Sequence, residues 1–524
     1  MINVLQYLEQ TIEHMDDPEK VAFYGGVRSV NGNKTNDCQT TLSFRDLSDV
    51  SRSIGSFIVG NKIKKRPVAV FMQKSPAMIA AFLGVVYSGN YYVPLDAEIP
   101  AFRRRLILEA VDPPLIICDE ATSKLITGEY VYVNFNKICY CPVDESALAD
   151  IRSEAIDADP VYVVFTSGST GIPKGVVATH RSVIDYIDNL SKVLGLTSET
   201  IFGNQSPLYL DACLKEIYTT LKCGSSAYLI PQSLFMFPVK LIEYINDNEI
   251  NTICWVASAL SLVAGLGALK AAIPKSLHTI AFGSEVFPIK HYNLWRETLP
   301  NAKFIHLYGP TEATGMSCYY EVTRKYDADG AIPIGHPFPN TEIILIDDNG
   351  AIPQEGQPGE ICIRGTCLSP GYFGDSEKTS SSFVQNPLST FPDIIYKTGD
   401  LGRRGAGGEL YYISRRDHQI KHMGHRIELA EIEVAANSCN GVGLACAVFD
   451  DIESRIILYY TALADIVSKS TVRSYLKDNL PRYMLPHSIF QLDNLPRSPG
   501  GKIDRVGLLE KYRTQTHKTS ARRT

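Results

Sequence analysis

Residues 163–180, VVFTSGSTGIPKGVVATH, begin with an apolar run, and the next dozen residues contain four hydroxyl side chains, three glycines and a lysine. Glycine loses more backbone freedom on folding than any other residue, so such a loop is costly to order unless it binds something. Hydroxyl donors, backbone N–H groups that glycine lets turn toward an anion, and a lysine charge together suit phosphate. We therefore interpret it as a phosphate-binding loop made of Thr166, Ser167, Gly168, Ser169, Thr170, Gly171 and Lys174.

Two common phosphate motifs do not fit this loop. A P-loop, GxxxxGK[ST], that starts at Gly168 needs glycine at position 173, where the chain has Pro173. The dinucleotide fingerprint GxGxxG is not present in the loop either. A polar surface turn is the alternative interpretation, but the length and order of the string favour a binding loop.

Further motifs follow along the chain, and together they resemble one family. TSGSTGIPKG (166–175) and the later motifs are similar to the signatures of the ANL superfamily of adenylate-forming enzymes, and their order matches amino-acid-activating adenylation domains over nearly the whole length. The other motifs are LSFRDL (42–47), the run 74–96, YGPTE (308–312), GEICIRGTCLSPGY (359–372), YKTGD (396–400), RRDHQIKHMGHRIELAEIE (415–433), LPRYMLP (480–486) and GGKIDR (500–505).

The resemblance implies an ATP- and Mg²⁺-dependent ligase. A carboxylate attacks ATP to give an acyl adenylate and pyrophosphate, and the acyl group then passes to a thiol. The glycine-rich loop is expected to hold the β- and γ-phosphates, and Glu312 to bind Mg²⁺, since a carboxylate is a hard oxygen ligand. By the same resemblance Tyr308 stacks on adenine, Thr311 reaches the α-phosphate, and the ribose hydroxyls are contacted by Asp400 and Arg415.

Three residues of the C-terminal part are assigned roles only by the resemblance. Lys502 is expected to bridge the substrate carboxylate and the α-phosphate during adenylation. Lys421 is expected to belong to the thiolation face. Asp417 matches the hinge about which a small domain rotates between the two half-reactions. The family usually has glycine where this chain has Ser414, which leaves Arg415 and Asp417 in place.

The stretch SPLYLDACLKEIYTTLKCG (206–224) is similar to the family's substrate-recognition segment. Asp211 falls where amino-acid activators carry an aspartate for the substrate ammonium, and a helix N-cap is its alternative role. Lys215 is unusual in a pocket for an apolar side chain, so a side-chain carboxylate, as in glutamate, is expected to pair with it. Lys215 pointing to solvent is the alternative. The expected lining is completed by Ala212, Cys254, Gly283, Leu307, Gly315 and Met316, with Ala281 or Phe282 as a neighbouring position.

Other substrates and acceptors stay open at this point. The segments CWVASAL and FGSEVFP are similar to D-alanine:carrier ligases, although Lys215 and Gly283 depart from that pattern. No GGxS-type segment follows GGKIDR, so the acceptor is expected to be a separate phosphopantetheinylated carrier protein, with coenzyme A as the alternative of an acyl-CoA synthetase. A non-catalytic binding module with the same fold is the remaining alternative.

The elements that must position these residues alternate along the first four hundred positions. A helix is predicted after an N-cap at Ser43, and strands at PVAVF (67–71), VYVVF (161–165), SSAYLI (225–230), NTICWV (251–256) and TEIILID (341–347). Alternating strands and helices predict an α/β fold, with helix-covered, mostly parallel sheets in a large N-terminal domain. A small, mobile α+β domain is expected after it, so that the domains are 1–414 and 415–524.

Composition restricts the class of protein. With 524 residues, the chain is too long for a single core. Its net charge of −6 and the absence of a long basic block argue against nucleic acid or an anionic membrane as the main partner. The N-terminus lacks the pattern of a signal peptide, and the twelve cysteines include no CxxC pair. A cytoplasmic enzyme is expected.

Overall fold

The computed structural model describes residues 1–25, 40–168, 172–327, 330–416, 419–463, 467–497 and 503–520, with side chains to residue 514. Contacts divide the chain into two compact units. The first contains residues 1–97, 111–164 and 175–416, and the second contains 98–110, 165–174 and 417–524. The division at 414/415 expected from the sequence remains a prediction.

The largest sheet of the first unit has nine strands. In spatial order they are β15 (His336–Pro337), β14 (Cys318–Glu321), β13 (Lys303–Tyr308), β12 (Thr279–Gly283), β11 (Thr252–Val256), β9 (Ile201–Asn204), β10 (Ser226–Leu229), β1 (Val21–Tyr24) and β2 (Thr41–Ser43). The six strands from β13 to β1 in this order run parallel, and the strands beyond them at both edges are antiparallel to their neighbours.

A second large sheet has six strands. In order they are β6 (Tyr132–Asn134), β5 (Leu115–Cys118), β3 (Pro67–Phe71), β4 (Tyr91–Leu95), β7 (Pro160–Thr166) and β8 (Lys174–Thr179). The first five are parallel to their neighbours. The phosphate-loop sequence connects β7 to β8, so it leaves the carboxyl end of a parallel strand, where ligands of open α/β sheets commonly bind.

The remaining sheets are smaller. A five-stranded antiparallel sheet contains β16 (Thr341–Ile346), β17 (Gly359–Gly365), β18 (Phe383–Gln385), β19 (Ile394–Arg404) and β20 (Leu410–Arg415). In the second unit, β21 (Gln419–His422) and β22 (His425–Glu428) form a hairpin. A separate three-stranded sheet contains β23 (Val442–Asp450), β24 (Arg455–Ala462) and β25 (Ser488–Gln491).

Helices connect most of the parallel strands. They are α1 (Leu5–His14), α2 (Phe44–Gly60), α3 (Pro76–Tyr87), α4 (Ala101–Val111), α5 (Glu120–Ser123), α6 (Phe135–Ile138), α7 (Glu145–Glu154), α8 (His180–Leu194), α9 (Leu214–Cys223), α10 (Pro238–Asp247), α11 (Ala257–Gly265), α12 (Ala268–Ala271), α13 (Ile289–Thr298), α14 (Ser376–Ser382), α15 (Leu429–Asn437), α16 (Lys469–Asn479) and α17 (Arg505–Ser520). The predicted α/β fold class is confirmed.

Helix α2 illustrates how local sequence determines an element. Ser43 accepts a hydrogen bond from the Asp46 amide, and the Asp46 side chain accepts one from the Ser43 amide, which completes a capping box. Leu47, Val50 and Ile54 then lie on one buried face. The helix therefore begins where its sequence predicts and turns its apolar stripe to the core.

Strands β11 to β13 bury both of their faces. Cys254, Ala281 and Ile305 face a core that also contains helices α2, α3, α8 and α9 and the six-stranded sheet. Their neighbours along the strands face a second core, formed with α10 to α13, that contains Trp255 and Phe282. A strand with two buried faces has a nearly continuous apolar sequence, as TICWV does.

The described part of the chain contains neither a membrane-spanning helix nor a disulfide bond. Every helix there is too short or too polar to cross a lipid bilayer. All eleven cysteines in that part are free thiols, and nine of them are buried. Burial of free cysteines is the behaviour expected from their strand-like surroundings.

We predict that two glycine-to-alanine substitutions act in opposite directions. A Cβ at Gly84 of α3 would lie 2.6 Å from Ile54 of α2, so Gly84→Ala is expected to destabilise by about 1–3 kcal/mol through overpacking. At Gly60, the last residue of α2, a Cβ would have no atom within 4 Å. Gly60→Ala is expected to stabilise by about 0.5–1 kcal/mol, because alanine favours the helix. The midpoint of thermal unfolding measures both, and equal shifts would contradict the close approach of α2 and α3.

Candidate functional site

The motif residues of the first unit gather beyond the carboxyl ends of the parallel strands. Strand β13 ends at Tyr308, the first residue of YGPTE, and β12 ends at Gly283. The recognition segment follows β9 and forms a 3₁₀ turn, Asp211–Cys213, before α9. Polar side chains that follow neighbouring strands therefore lie at one edge of the sheet, the edge at which open α/β sheets commonly bind ligands.

Asp400 is held by two donors. It lies opposite Arg415 in the β19–β20 pair, and Arg415 Nη1 donates to its Oδ1 at 2.7 Å. The Tyr308 hydroxyl donates to Oδ2 at 2.6 Å. Burial and the Asp400 charge raise the pKa of Tyr308 well above its usual value, so this hydroxyl stays a donor. An ionised carboxylate has about four acceptor positions, so the buried Asp400 retains acceptors for further hydroxyls.

Glu312 is a fully buried carboxylate on the turn Thr311–Ala313. The Tyr372 hydroxyl donates to its Oε1 at 2.7 Å, and its backbone carbonyl accepts from the Ser369 amide at 2.8 Å. Tyr372 and Ser369 belong to the motif GEICIRGTCLSPGY, so two motifs far apart in sequence meet here. The described residues contain no group of three or more metal-ligating side chains. Magnesium is usually held by one or two carboxylates together with substrate phosphates, which is a donor set that Glu312 fits.

Asp211 lies close to Thr311 and Lys215. Burial raises the pKa of Asp211, while a hydrogen bond with Thr311 and the positive charge of Lys215 oppose that shift. No lysine or arginine of the described residues lies within ion-pair distance, 4.0 Å, of this carboxylate. The Tyr162 hydroxyl, which lies near Asp211, is buried and has no hydrogen-bond partner in that part of the chain. The surroundings of Asp211 thus have polar capacity that a ligand can use.

Strand register explains which pocket candidates share a face. Cys254 pairs with Ala281, and Gly283 pairs with Leu307. Cys254, Ala281 and Leu307 belong to the same core, whereas Phe282 belongs to the opposite one. Of the two neighbouring positions considered from the sequence, Ala281 therefore shares the face of the other candidates and Phe282 does not.

Gly315 and Met316 follow the YGPTE turn, and both are buried. Gly315 has φ +93°, and a Cβ on it would lie 2.9 Å from the Tyr186 ring. Only glycine fits this backbone conformation and this close approach. Tyr186 of α8 also lies near Asp211 and Cys254, since their charges affect its pKa. Tyr186 thus joins the predicted lining residues.

Lys215 and Glu216 lie in the first turn of α9, and Lys74 lies close enough to affect the pKa of Glu216. Lys215 is 4% exposed and Glu216 is 1% exposed. Both Glu216 carboxylate oxygens are buried, and the Asn204 side chain lies near them without a hydrogen bond of regular geometry. Burial raises the pKa of Glu216 to about 7, while the charges of Lys215 and Lys74 oppose the shift. Burial also lowers the pKa of Lys74 to about 8. Ala212, the remaining candidate of this segment, is partly exposed.

The phosphate-loop sequence lies in the second unit, and Ser169, Thr170 and Gly171 fall outside the described residues. Ser167 is buried, and its hydroxyl donates to the Arg426 carbonyl at 2.6 Å. The Thr166 hydroxyl is buried without a partner among the described residues. A Cβ at Gly168 would lie 2.0 Å from the Ile172 carbonyl oxygen, so this close approach requires glycine at position 168. Lys174 begins β8 and is buried.

Of the three C-terminal candidates, one is described. Lys421 lies on β21, where it pairs with Arg426 of β22, and it is partly exposed. Asp417 and Lys502 fall outside the described residues. The roles that the resemblance gives to all three therefore remain predictions.

The site also contains residues that sequence reasoning did not single out. Tyr372, Tyr162, Tyr186, Lys74 and Glu216 have contacts or electrostatic interactions with predicted site residues. Two signals were present in the sequence. Glu216 directly follows Lys215, and Lys74 begins the motif run 74–96, although neither pattern indicates a shared buried location.

Comparison with known proteins identifies the family. The model of the family "AMP-binding enzyme" matches residues 14–373. Bacitracin synthase 1 of Bacillus licheniformis is 30% identical over 477 residues, which cover 90% of this chain but 9% of that protein. Zwittermicin A synthase ZmaJ of Bacillus cereus is 30% identical over 484 residues, which cover 89% of each. The chain thus spans a small part of the first relative and most of the second.

Solved structures have the same fold. Holo-PA1221, described as a nonribosomal peptide synthetase protein containing adenylation and PCP domains, superimposes with a TM-score of 0.81 at 23% identity, over 97% of this chain and 84% of that one.

The family expected from the motifs is confirmed by the family model and the relatives at 30% identity. The chain belongs to the AMP-binding enzyme family, the adenylate-forming ligases of the ANL superfamily, and is related to the adenylation domains of nonribosomal peptide synthetases.

Proposed function

We propose that this chain uses ATP to activate an α-amino acid as its aminoacyl adenylate, with release of pyrophosphate. The observation that carries the proposal is Asp211, a carboxylate next to Thr311 with no cation at ion-pair distance among the described residues. An ammonium needs a counter-charge when it leaves water. A substrate with an α-ammonium group supplies the missing partner, whereas a fatty or aryl acid does not.

The chemistry requires positive charge around two anions. A substrate carboxylate oxygen forms a bond to the α-phosphorus of ATP, and the bond from that phosphorus to the pyrophosphate oxygen breaks. Lys174 and Lys502 would offset the repulsion between carboxylate and phosphates. Glu312 would hold Mg²⁺, which supplies further positive charge to the phosphates when bound. Thr166, Ser169 and Thr170 would donate to the phosphates, and Ser167 would do so once its hydroxyl releases the Arg426 carbonyl. Tyr308 would stack on adenine.

Asp400 and Arg415 would bind the ribose. Asp400 has acceptor capacity beyond the two donors it already has, Tyr308 and Arg415. Two neighbouring ribose hydroxyls are donors that match this capacity. The ring of Tyr308 and the carboxylate of Asp400, linked by a hydrogen bond, would then orient adenosine as one unit.

We further infer an acidic substrate side chain, such as that of glutamate. Lys215 is almost fully buried, and its ammonium has no hydrogen bond or ion pair within the described part of the chain. A buried lysine without a partner is unfavourable, and a substrate carboxylate would remove that cost. A D-alanine or other small apolar substrate would leave Lys215 unpaired.

The acceptor in the second half-reaction is proposed to be the phosphopantetheine thiol of a carrier protein. PA1221 is described as having both adenylation and PCP domains, so the same fold serves a carrier protein there, as the proposal has it for this chain. A small domain from residue 415 onward, rotating about Asp417, would remove Lys502 and present Lys421 for the transfer.

Amino-acid-dependent ATP–pyrophosphate exchange tests the proposed function. We expect exchange with L-glutamate in a panel that also contains L-aspartate, L-glutamine, D-alanine, other amino acids and fatty acids. Lys215→Ala is expected to reduce kcat/KM for glutamate by about 100-fold, the effect of removing one partner of a buried charge pair. Exchange with D-alanine alone would contradict the acidic side chain, and exchange with no amino acid would contradict amino-acid activation.

Asp400→Asn separates nucleotide binding from amino-acid selection. The amide keeps the size of the side chain but has one acceptor oxygen, so the contacts to ribose and Arg415 cannot all be kept. We expect KM for ATP to rise by about 10- to 100-fold, the effect of losing charge-assisted hydrogen bonds, with the order of preferred amino acids unchanged. Asp247→Asn, at the exposed end of α10, is the matched control. A changed amino-acid preference in Asp400→Asn would argue against a ribose role.

Lys502→Ala distinguishes the two half-reactions. Because this lysine is proposed to act only in adenylate formation, the variant is expected to lose pyrophosphate exchange by about 100-fold or more. Transfer of the aminoacyl group from supplied aminoacyl adenylate to a carrier thiol should stay within about threefold of the unsubstituted enzyme. Equal loss of both reactions would rule out a role confined to adenylation.

A further inference from the structure

Helix α4 contributes a buried ion pair to the second unit. Arg103 Nη1 donates to Glu431 Oε1, in the first turn of α15, and the two side chains are 7% and 3% exposed. Among the described residues, no other lysine or arginine lies at ion-pair distance from Glu431. The two residues are 328 positions apart. The pair therefore ties an early segment of the chain, 98–110, to the C-terminal segment of the same unit, which begins at 417.

The hairpin that precedes α15 contacts a second early segment of this unit. The Ser167 hydroxyl, in the phosphate-loop sequence, donates to the Arg426 carbonyl at 2.6 Å. Arg426 lies on β22, which ends directly before α15 begins, so this contact and the ion pair are made by consecutive elements. A hydroxyl has one proton to donate. Ser167 therefore cannot donate to a phosphate of ATP while it donates to this carbonyl.

The observed arrangement of β22 and α15 thus suits a stage of the reaction at which Ser167 holds no phosphate. In the proposed function, Ser167 is free of phosphate once pyrophosphate has left. The step that follows is the transfer of the aminoacyl group to the carrier thiol. A contact that keeps β22 at Ser167 would then favour the transfer step and oppose renewed binding of ATP.

Burial makes this arrangement sensitive to either member of the ion pair. Removing one partner of a buried pair leaves an uncompensated buried charge, which is strongly unfavourable. That penalty applies only while α15 lies against α4, because separation would return the remaining charge to water. Loss of one partner therefore disfavours the observed arrangement in particular, and leaves an arrangement in which the two helices are apart unaffected.

We propose that Arg103 and Glu431 are positioning residues of the transfer half-reaction, whose ion pair holds β22 and α15 where the Arg426 carbonyl occupies Ser167. The inference rests on the proposed function, since it takes the phosphate loop as the site of the ATP phosphates and the segment from 417 onward as the part that moves. It adds that ATP and the ion pair compete. The phosphates must displace the Arg426 carbonyl from Ser167, and the ion pair keeps it there.

Separate measurement of the two half-reactions tests this proposal, with the amino acid that supports pyrophosphate exchange. Arg103→Met is expected to slow transfer from supplied aminoacyl adenylate to a carrier thiol by about 10- to 100-fold, a range found for coupling between residues in contact. Pyrophosphate exchange should keep its kcat within about threefold, and its KM for ATP should stay the same or fall. Arg105→Met, on the same helix but with a side chain 62% exposed, is the matched control and should change neither half-reaction.

The double variant Arg103→Met/Glu431→Met distinguishes positioning from a general loss of structure. Apolar residues of similar volume often replace a buried ion pair without loss of stability, so transfer should return to within about threefold of the unsubstituted enzyme. Normal transfer in Arg103→Met would overturn the proposal. So would loss of both half-reactions in equal proportion, or a double variant that transfers as slowly as Arg103→Met.

Glu431→Gln covers the case in which Arg103→Met does not fold. This nearly isosteric change removes the negative charge, so it should slow transfer and spare exchange in the same way, and an equal effect on both would contradict the proposal. The failure of each proposal has its own signature. An unsubstituted enzyme that shows no exchange with any amino acid contradicts the proposed function, and the role of the ion pair falls with it. Exchange together with transfer that is insensitive to Arg103 and Glu431 contradicts the role of the ion pair alone.

Discussion

The central sheet of the first unit must bury both of its faces, and most of the site depends on this constraint. Successive residues of β11, β12 and β13 enter two different cores. The positions of the backbones are therefore determined from both sides, and so is the edge at which these strands end. Tyr308 is the last residue of β13, and Asp211 and Glu312 lie in connections that leave this edge or its neighbours. A binding site built on such strand ends is positioned more accurately than one on isolated loops.

The candidate site also contains an unusual number of buried ionisable side chains. Asp400, Glu312, Lys215 and Glu216 are each less than 5% exposed, which is unusual for ionisable side chains. Two of them are satisfied by tyrosine hydroxyls, Asp400 by Tyr308 and Glu312 by Tyr372. Lys215 and Glu216 lack such partners in the described part of the chain. The two carboxylates predicted to contact ATP and Mg²⁺, Asp400 and Glu312, thus have hydrogen-bond partners within the chain. The two charged residues beside the proposed amino-acid pocket, Lys215 and Glu216, have none among the described residues.

Much of the fold followed from the sequence because its signals are local. The N-cap at Ser43 and the apolar run TICWV each predict their element without reference to the rest of the chain. The motif order also predicted the family. Contacts such as Tyr372 with Glu312, 60 positions apart, had no local signal, since they depend on how strands from separate sheets meet. Lys74 was not predicted for the same reason, because a single lysine before a helix is ordinarily a solvated residue.

Two of the glycines that the sequence predicts to line the pocket cannot accept a side chain. A Cβ at Gly283 would lie 2.3 Å from the Leu307 carbonyl oxygen, and Gly315 combines a left-handed backbone with contact to the Tyr186 ring. Cys254 and Ala281 are paired residues of neighbouring strands, where the backbone accepts a side chain of any type. A new substrate preference, whether evolved or engineered, would therefore have to come from substitutions at positions such as Cys254 and Ala281. Gly283 and Gly315 would have to stay glycine.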